Sequence, residues 1–127
     1  MGYRSDVYIK GTLNTFGSTM QVVKNHDLVP DSLSSDEDYF CMTFIEYRWY
    51  EGYEFVDDFT ALFKSYEESN THLLAAIRQG EDPDDTETYG TDLYDVDMSY
   101  TKEIIVHAFD TEDAPDKLKA DYPEYFI

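Results

Sequence analysis

The strongest strand signal in the chain is the aromatic run Tyr39-Phe40-Cys41-Met42-Thr43-Phe44-Ile45-Glu46-Tyr47-Arg48-Trp49. Aromatic and β-branched residues are enriched in strands because they pack well on a pleated surface. Apolar residues occur at both parities of this run, so we expect both faces of the strand to be covered and the strand to lie centrally in a sheet. Gly52 is expected to end it.

Two weaker patterns and a loop precede the run. Residues 3–10 are predicted to form a strand that ends at Gly11. From Thr12, apolar residues recur at helical spacing and predict one buried helical stripe, formed by Leu13, Phe16, Met20 and Val23. Residues 28–38 contain a proline, three serines and four acids, a composition typical of a loop.

A second helix is predicted to begin at about Glu54. Its buried face is expected on Phe55, Phe59, Leu62 and Tyr66, widened by Val56 and Phe63. The following residues 72–79 fit two structures. Their Leu-Leu-Ala-Ala segment favours a helix capped by Gly80, whereas alternation of apolar residues favours a strand.

Beyond residue 90, apolar and acidic residues alternate, which predicts a strand or a bent pair of strands over residues 93–106. Asp113-Ala114-Pro115 is typical of the start of a short helix, and the apolar C-terminus is expected to dock on the body. The sequence therefore predicts one α+β domain over residues 1–127, with a C-terminal extension over residues 110–127. We expect a mainly antiparallel sheet of about four strands with two helices on one face.

Charge limits the classes of partner. The chain carries 28 acids against 9 lysines and arginines, a net charge of −19, and it has 12 tyrosines. Such a charge repels bare nucleic acid and anionic membranes, and it favours a cation or a protein with a basic surface. Because no apolar run spans a bilayer and no signal peptide is evident, we expect a cytoplasmic protein.

The acids are clustered. Residues 31–58 carry nine acids and one base, and residues 81–100 carry eight acids and no base. The second cluster includes the insert Gly80–Gly90, which is rich in turn-forming residues and is expected to be a loop. Its oxygen ligands suit Ca²⁺ or Mg²⁺, but the EF-hand spacing is missing, so a solvated acidic loop is favoured and no metal or other cofactor is predicted.

Catalytic motifs are not recognisable in the sequence. Cys41 lies within a strand and is expected to be a buried apolar residue, and the three histidines are scattered at His26, His72 and His107. Carboxylate pairs are so numerous that their presence carries no information about acid–base chemistry. We therefore predict no catalytic residues and a protein that is not an enzyme.

The acidic side of the predicted strand over residues 93–106 is the more specific feature. Asp95 and Asp97 are two residues apart, so on a strand they project to one side about 6.7 Å from each other. Regular carboxylates resemble duplex DNA, which carries one negative charge per ~1.7 Å of its axis. The predicted partner-binding residues are Glu81, Asp82, Asp84, Asp85, Glu87, Tyr89, Asp92, Tyr94, Asp95 and Asp97.

Three segments together resemble a group of small phage, prophage and bacterial proteins. They are the opening Met-Gly-Tyr-Arg-Ser-Asp-Val, the segment that reads Arg-Trp-Tyr-Glu-Gly-Tyr-Glu-Phe-Val over residues 48–56, and Gly-Glu-Asp followed by Asp-Asp and Gly over residues 80–90. The resemblance spans roughly residues 1–106. It implies a small α+β fold in which the region around Ile77 is a strand, and it implies no activity.

Together these observations favour a non-enzymatic, phage-encoded interaction protein in the cytoplasm of a bacterial host. Its expected partner is the basic surface of a host nucleic-acid-binding or defence protein, which it would block by mimicking DNA. The alternatives are a divalent-cation-binding or structural acidic module and, less favoured, a small enzyme without a recognisable motif. The aromatic run over residues 39–50 leaves a homodimer open.

Overall fold

The computed structural model describes residues 3–35, 38–50, 52–82 and 84–96, together with residues 120, 122 and 123. The strands and helices are β1 (Ser5–Thr12), α1 (Phe16–Asn25), β2 (Ser32–Ser35), β3 (Tyr39–Tyr47), α2 (Glu54–Ser65), β4 (Leu74–Gln79) and β5 (Thr86–Gly90). Single-turn 3-10 helices occupy Leu13–Thr15 and Leu93–Val96. None of the described helices is long and apolar enough to cross a membrane.

The strands form one antiparallel sheet in the order β2-β3-β1-β4-β5. The predicted α+β class is confirmed, with five strands in place of about four. β3 is an interior strand as predicted, although β1 holds the central position and β3 ends at Tyr47, before Gly52. The ambiguous residues 72–79 contain β4, so the strand interpretation is correct.

Two of the observed strands, β2 and β5, lie in segments predicted as loops, and β2 lies inside the predicted loop over residues 28–38. It pairs with β3, with Leu33 opposite Met42. The Ser32 and Thr43 hydroxyls lie 2.6 Å apart across this pair, and Asp31 Oδ2 accepts a hydrogen bond from the Ile45 N–H at 2.6 Å. Pairing with an open strand edge therefore overrides the weak strand propensity of serine.

Gly11 does not end the first strand as predicted. It lies within β1, paired with Phe40 on one side and Leu74 on the other. A Cβ atom at this position would lie 2.5 Å from Thr15 Oγ1 and 2.7 Å from the Leu73 carbonyl oxygen. Glycine is required here because the first 3-10 helix folds back closely on the strand.

Both helices cover the same face of the sheet, and the main core lies between this face and the helices. The fully buried side chains of this core include Val7, Ile9, Phe16, Phe40, Met42, Phe44, Phe59, Phe63 and Leu74. Trp49 stacks on Phe59 with ring centroids 5.5 Å apart, and Phe59 stacks on Phe63 at 5.7 Å. Because the Phe63 ring also lies 5.8 Å from that of Tyr89 in β5, aromatic contacts hold α2 to its neighbours at two successive turns.

The opposite face of the sheet carries a second, smaller cluster, formed by Tyr8, Cys41, Ala75, Ile77 and Val96. Cys41 is buried, as predicted, with 8% of its surface exposed. The second 3-10 helix packs on this face through Val96, which is fully buried, and Leu93.

The prediction of a strand beginning at residue 93 is wrong. Leu93–Val96 forms a 3-10 helix, in which the Asp95 N–H donates to the Asp92 carbonyl at 3.0 Å. Residues three apart share one side of such a helix, so Leu93 and Val96 both reach the sheet. Residues 97–106 and the short helix predicted from Asp113 lie outside the described residues.

One described residue of the C-terminal segment contacts the body. The Tyr122 hydroxyl donates to the Leu13 carbonyl oxygen at 2.9 Å, and its ring lies 5.0 Å from that of Phe16. A Cβ at Gly17 would lie 3.2 Å from the Tyr122 ring. The glycine in α1 therefore leaves room for this tyrosine.

Candidate protein-interaction surface

The predicted insert Gly80–Gly90 is the turn and second strand of a β-hairpin. Its first half is a tight turn, and its second half, predicted as a loop, is the edge strand β5 paired with β4. The Gly80 N–H donates to the Asp85 carbonyl at 2.7 Å, and the Asp85 N–H donates to the Asp82 carbonyl at 3.0 Å. These bonds give the acidic turn a defined backbone conformation.

Tyr3 fixes the turn from outside the hairpin. Its hydroxyl donates to Asp85 Oδ2 at 2.6 Å and accepts a hydrogen bond from the Asp82 N–H at 3.1 Å. Both groups crowd Gly80, where a Cβ atom would lie 2.1 Å from Asp85 Oδ2 and 2.3 Å from the Tyr3 hydroxyl oxygen. Glycine at position 80 therefore allows the tyrosine and the carboxylate to meet.

Arg78 lies at the centre of the hairpin, on the face of β4 that the helices cover, with 6% of its surface exposed. Its Nη1 donates to Ser5 Oγ at 2.9 Å, and its Nη2 donates to Asp85 Oδ1 at 2.5 Å. Its Nε donates to Glu87 Oε1 at 3.0 Å, and Nη2 contacts the same oxygen. We call Asp85 and Glu87 the inward carboxylates because one guanidinium holds both.

These contacts change the proton affinities of the groups. Hydrogen bonds from Arg78 lower the pKa of Asp85, and the hydrogen bond from Tyr3 lowers it further. The hydrogen bond with Asp85 raises the pKa of Arg78, and Glu87 adds to this effect, whereas burial of the guanidinium opposes it. Asp85 and Arg78 therefore stay ionised at neutral pH, and the inward carboxylates have an intramolecular role.

Three other acids of the turn face solvent. Glu81, Asp82 and Asp84 are all exposed, and we call them the outward carboxylates. Asp92 and Asp95 are also exposed, on the segment that follows β5. Thr91 fixes the start of that segment, because its N–H donates to the Leu74 carbonyl at 2.8 Å and its Oγ1 accepts from the Leu74 N–H at 3.0 Å.

The remaining predicted binding residues have separate positions. Tyr89 is half-buried on β5, with its ring 5.8 Å from that of Phe63 and its hydroxyl donating to Glu87 Oε2 at 3.2 Å. Burial, followed by the charge of Glu87, raises the pKa of Tyr89. Tyr94 belongs to the second 3-10 helix, and its side chain is outside the description, as is Asp97. The regular line of Asp95 and Asp97 along a strand is not observed, because Asp95 lies in the 3-10 helix.

In the described part of the chain, the histidines, the cysteine and the acids are not brought together into a metal-binding or catalytic group. Within those residues, no group of three or more histidine, cysteine, aspartate or glutamate side chains is placed to hold a metal ion. His26 Nε2 lies 2.7 Å from Asp58 Oδ2 and links the end of α1 to α2. His72 is exposed and Cys41 is buried in the second cluster, while His107 lies outside the described residues.

Sequence reasoning missed Arg78, which organises the hairpin. A signal was present: Arg78 is the one base between Lys64 and Lys102, and it lies in a predicted strand next to the most acidic segment. An isolated base in such a setting is expected to pair with neighbouring carboxylates. Which of the neighbouring acids it takes depends on the register of the hairpin, which the sequence does not give.

Comparison with known proteins identifies no relative: no family model, curated protein or solved structure matches the chain. The resemblance to small phage and prophage proteins stays a prediction. The aromatic run proposed for a homodimer is largely internal, since Phe40, Phe44 and Trp49 are buried within one chain. Functional inference therefore rests on the charges and contacts of the hairpin.

Proposed function

We propose that this protein is a non-enzymatic interaction protein, encoded by a phage and acting in the cytoplasm of its bacterial host. It blocks a basic host protein that binds nucleic acid or takes part in defence, and it does so by presenting carboxylates where that protein accepts DNA. The observation that carries the proposal is the exposure of Glu81, Asp82 and Asp84 on a turn with a defined backbone.

The arrangement suits electrostatic recognition for two reasons. Tyr3 and Gly80 hold the acidic turn in place before any partner arrives, so little ordering is needed on binding. The segment that follows the turn also supplies no cation of its own, and the exposed cation found beside the turn, Arg4, lines a cleft with Gly80 and Glu81. Residues 81–96 contain seven acids and no lysine or arginine, and the neighbouring Arg78 is buried by its own carboxylates.

When electrostatic attraction steers two proteins together, their association rate depends on the salt concentration. The net charge of −19 attracts a basic surface over several ångströms. At physiological ionic strength that attraction is screened over about 8 Å, so association is expected to slow steeply as salt is added. Tyrosines near the acidic turn supply apolar contact once the surfaces meet.

The test is a capture experiment with matched charge reversals. A variant with Glu81→Lys, Asp82→Lys and Asp84→Lys is compared with one that carries Asp27→Lys, Glu54→Lys and Glu68→Lys. Both variants change the net charge equally, all six residues are exposed, and the second set lies at the ends of the two helices and not on the hairpin. Each is used to capture proteins from bacterial lysate, and captured proteins are then tested for displacement of bound DNA.

We expect the wild type and the control variant to capture a DNA- or RNA-binding protein and to release DNA from it. The variant reversed in the outward carboxylates is expected to lose both activities. Equal binding by the two variants would show that only total charge matters, and capture of no nucleic-acid-binding protein would reject the proposal.

A further inference from the structure

β5 forms one edge of the sheet, and its hydrogen-bonding register follows from two measured bonds. The Gly80 N–H donates to the Asp85 carbonyl at 2.7 Å, and the Thr91 N–H donates to the Leu74 carbonyl at 2.8 Å. Bonded pairs in an antiparallel ladder recur at every second residue. Arg78 and Glu87 therefore exchange bonds inside the sheet, whereas Thr88 directs its N–H and its carbonyl outward.

The outward side of β5 is open in the part of the chain that the structure describes. The sheet ends at this strand, and no described strand pairs with its outer side. The Thr86 N–H is used within the turn, since it donates to the Asp84 carbonyl at 3.2 Å. The groups left for an added strand are the N–H and carbonyl of Thr88, the carbonyl of Thr86 and the backbone of Gly90.

This edge is short and carries the charged Glu87, but it lacks two other features that prevent pairing with another chain. Its sequence, Thr-Glu-Thr-Tyr-Gly, contains neither the lysine nor the proline that commonly protect an exposed strand. Thr88 is exposed, so access to its backbone is open. Backbone groups in this condition accept an extended peptide from a partner, as in β-strand addition.

The space beside the edge is acidic. A cleft of about 340 Å³ adjoins the strand, and its lining includes Thr88, Tyr89 and Gly90. Two exposed acids, Glu67 and Asp92, also line it, and no base does. Side chains of an added strand would therefore approach the carboxylates of Glu67 and Asp92.

The charge of the protein determines which kind of chain can pair with β5. Two copies of this chain meeting at β5 would bring together two acidic turns and two net charges of −19, so self-pairing is opposed. An extended segment that alternates basic and small polar residues would instead be attracted. We propose that β5 accepts such a basic segment of the partner protein as an additional strand; this inference rests on the proposed function and adds the mode of binding.

The test uses a synthetic peptide that alternates arginine with threonine, and the same peptide N-methylated along its backbone. The two carry equal charge, but the second has no backbone donors. Binding to the intact protein is measured by titration, with nuclear magnetic resonance to locate the affected residues. We expect the unmethylated peptide to perturb Thr86, Thr88 and Gly90 and to bind at least about tenfold more tightly, as for the loss of one or two backbone hydrogen bonds.

A pair of substitutions tests the same edge from the protein's side. Thr88→Pro removes an outward N–H and leaves the bonds to β4 in place, since proline is tolerated on an edge strand. Thr88→Val retains the N–H and the strand preference. We expect about tenfold weaker peptide binding for Thr88→Pro and a change within about twofold for Thr88→Val.

Three outcomes would overturn the inference. Equal binding of the two peptides would show that the protein attracts them by charge alone. This measurement uses the wild-type protein, so it does not depend on whether Thr88→Pro folds. Equal peptide binding by the two Thr88 variants would also exclude pairing of the peptide with β5. A dimeric protein that becomes monomeric on Thr88→Pro would show that a second copy occupies β5.

The result is separable from that of the proposed function. If reversal of the outward carboxylates abolishes capture of the host protein but Thr88→Pro leaves it intact, the proposed function stands and pairing at β5 fails. If neither change affects capture, both fail.

Discussion

The inward and outward carboxylates of the hairpin differ in what they face, although they come from one short acidic segment. Asp85 and Glu87 contact a guanidinium that is 6% exposed, whereas Glu81, Asp82 and Asp84 face water. The first pair holds the hairpin together, and the second group adds only repulsion to the fold. The acidic segment therefore contains two structurally different sets of carboxylates, and contact with Arg78 distinguishes them.

The largest effect on stability is expected from Arg78→Met. Methionine fills a similar space but leaves the inward carboxylates without their cation, and removing one partner of a fully buried ion pair costs about 3–5 kcal/mol. The Asp85 side chain is 33% exposed and the Glu87 side chain is 54% exposed, so water compensates for part of the lost attraction. We therefore expect a loss of about 2.5 kcal/mol, below the range for a fully buried pair. Urea unfolding can be followed by fluorescence of Trp49, which is the one tryptophan and is 7% exposed.

Lys64→Met is the matched control for that substitution. Lys64 is an exposed base in the last turn of α2, so its removal is expected to lower the free energy of unfolding by about 0.5 kcal/mol through the helix dipole. Similar losses in the two variants would contradict a central role for Arg78, and the distinction between the two sets of carboxylates would then fail.

Gly80→Ala tests whether the turn depends on close approach. Its Cβ would lie within 2.3 Å of both the Asp85 carboxylate and the Tyr3 hydroxyl, so one of them must move. We expect a loss of about 2 kcal/mol, as for overpacking, measured by urea unfolding.

Gly52→Ala provides the comparison. Gly52 has a φ of +100°, but nothing lies within 4 Å of an added Cβ. Its loss is expected to be about 1 kcal/mol and to come from backbone strain alone. If Gly80→Ala is the milder of the two changes, the close approach of Tyr3 and Asp85 does not constrain the turn.

Lowering the pH should weaken the stabilising contact between Asp85 and Arg78. The pKa of Asp85 is lowered in the folded protein from the ordinary value of 3.8. Its contribution to stability is therefore complete above that value and is lost as the pH falls through the folded pKa. We expect wild type to melt above Asp85→Asn near neutral pH and the difference in melting temperature to close in acid.

The comparison with Asp85→Asn removes a complication. Protonation of the many exposed acids relieves repulsion at the same time, but it does so equally in both proteins. A difference in melting temperature that persists unchanged to low pH would show that Asp85 is not held by Arg78 as a carboxylate.

Much of the fold could be predicted because buried apolar residues recur in the sequence at the period of the helix or strand that carries them. Helix α2 and the apolar run of β3 follow from spacing, although the buried face of α2 is rotated from the predicted one: Val56, Phe59 and Phe63 are buried, and Phe55, Leu62 and Tyr66 are half-buried. β2 could not be predicted, since its serines become a strand only through pairing with β3. The predicted strand begins too early because Tyr94 and Val96 alternate with Asp95 and Asp97 in the sequence, whereas the packing of Leu93 and Val96 on the sheet, which accompanies the 3-10 helix, is long-range.

The candidate site was predicted only in part, for a physical reason. The sequence locates the acids, but whether a carboxylate is available to a partner depends on what faces it across the sheet. Register places Arg78 opposite Glu87, and the turn brings Asp85 to the same guanidinium. Long-range contacts such as Tyr3 with Asp85, which are 82 residues apart, have no local pattern.

The smallest effect on stability is expected from neutralising the outward carboxylates together, in a variant that carries Glu81→Gln, Asp82→Asn and Asp84→Asn. These side chains are exposed, and surface substitutions away from a specific contact usually change stability by less than about 0.5 kcal/mol. The sign is expected to be stabilising, because three like charges are removed from a protein of net charge −19. Unfolding in urea at low and high salt measures it, and screening should shrink the gain, since the effect is repulsion between solvated charges. A marked loss of stability would mean that the outward carboxylates also hold the turn. A small gain in stability together with loss of partner capture would mean that the inward carboxylates stabilise the hairpin and the outward carboxylates bind the partner.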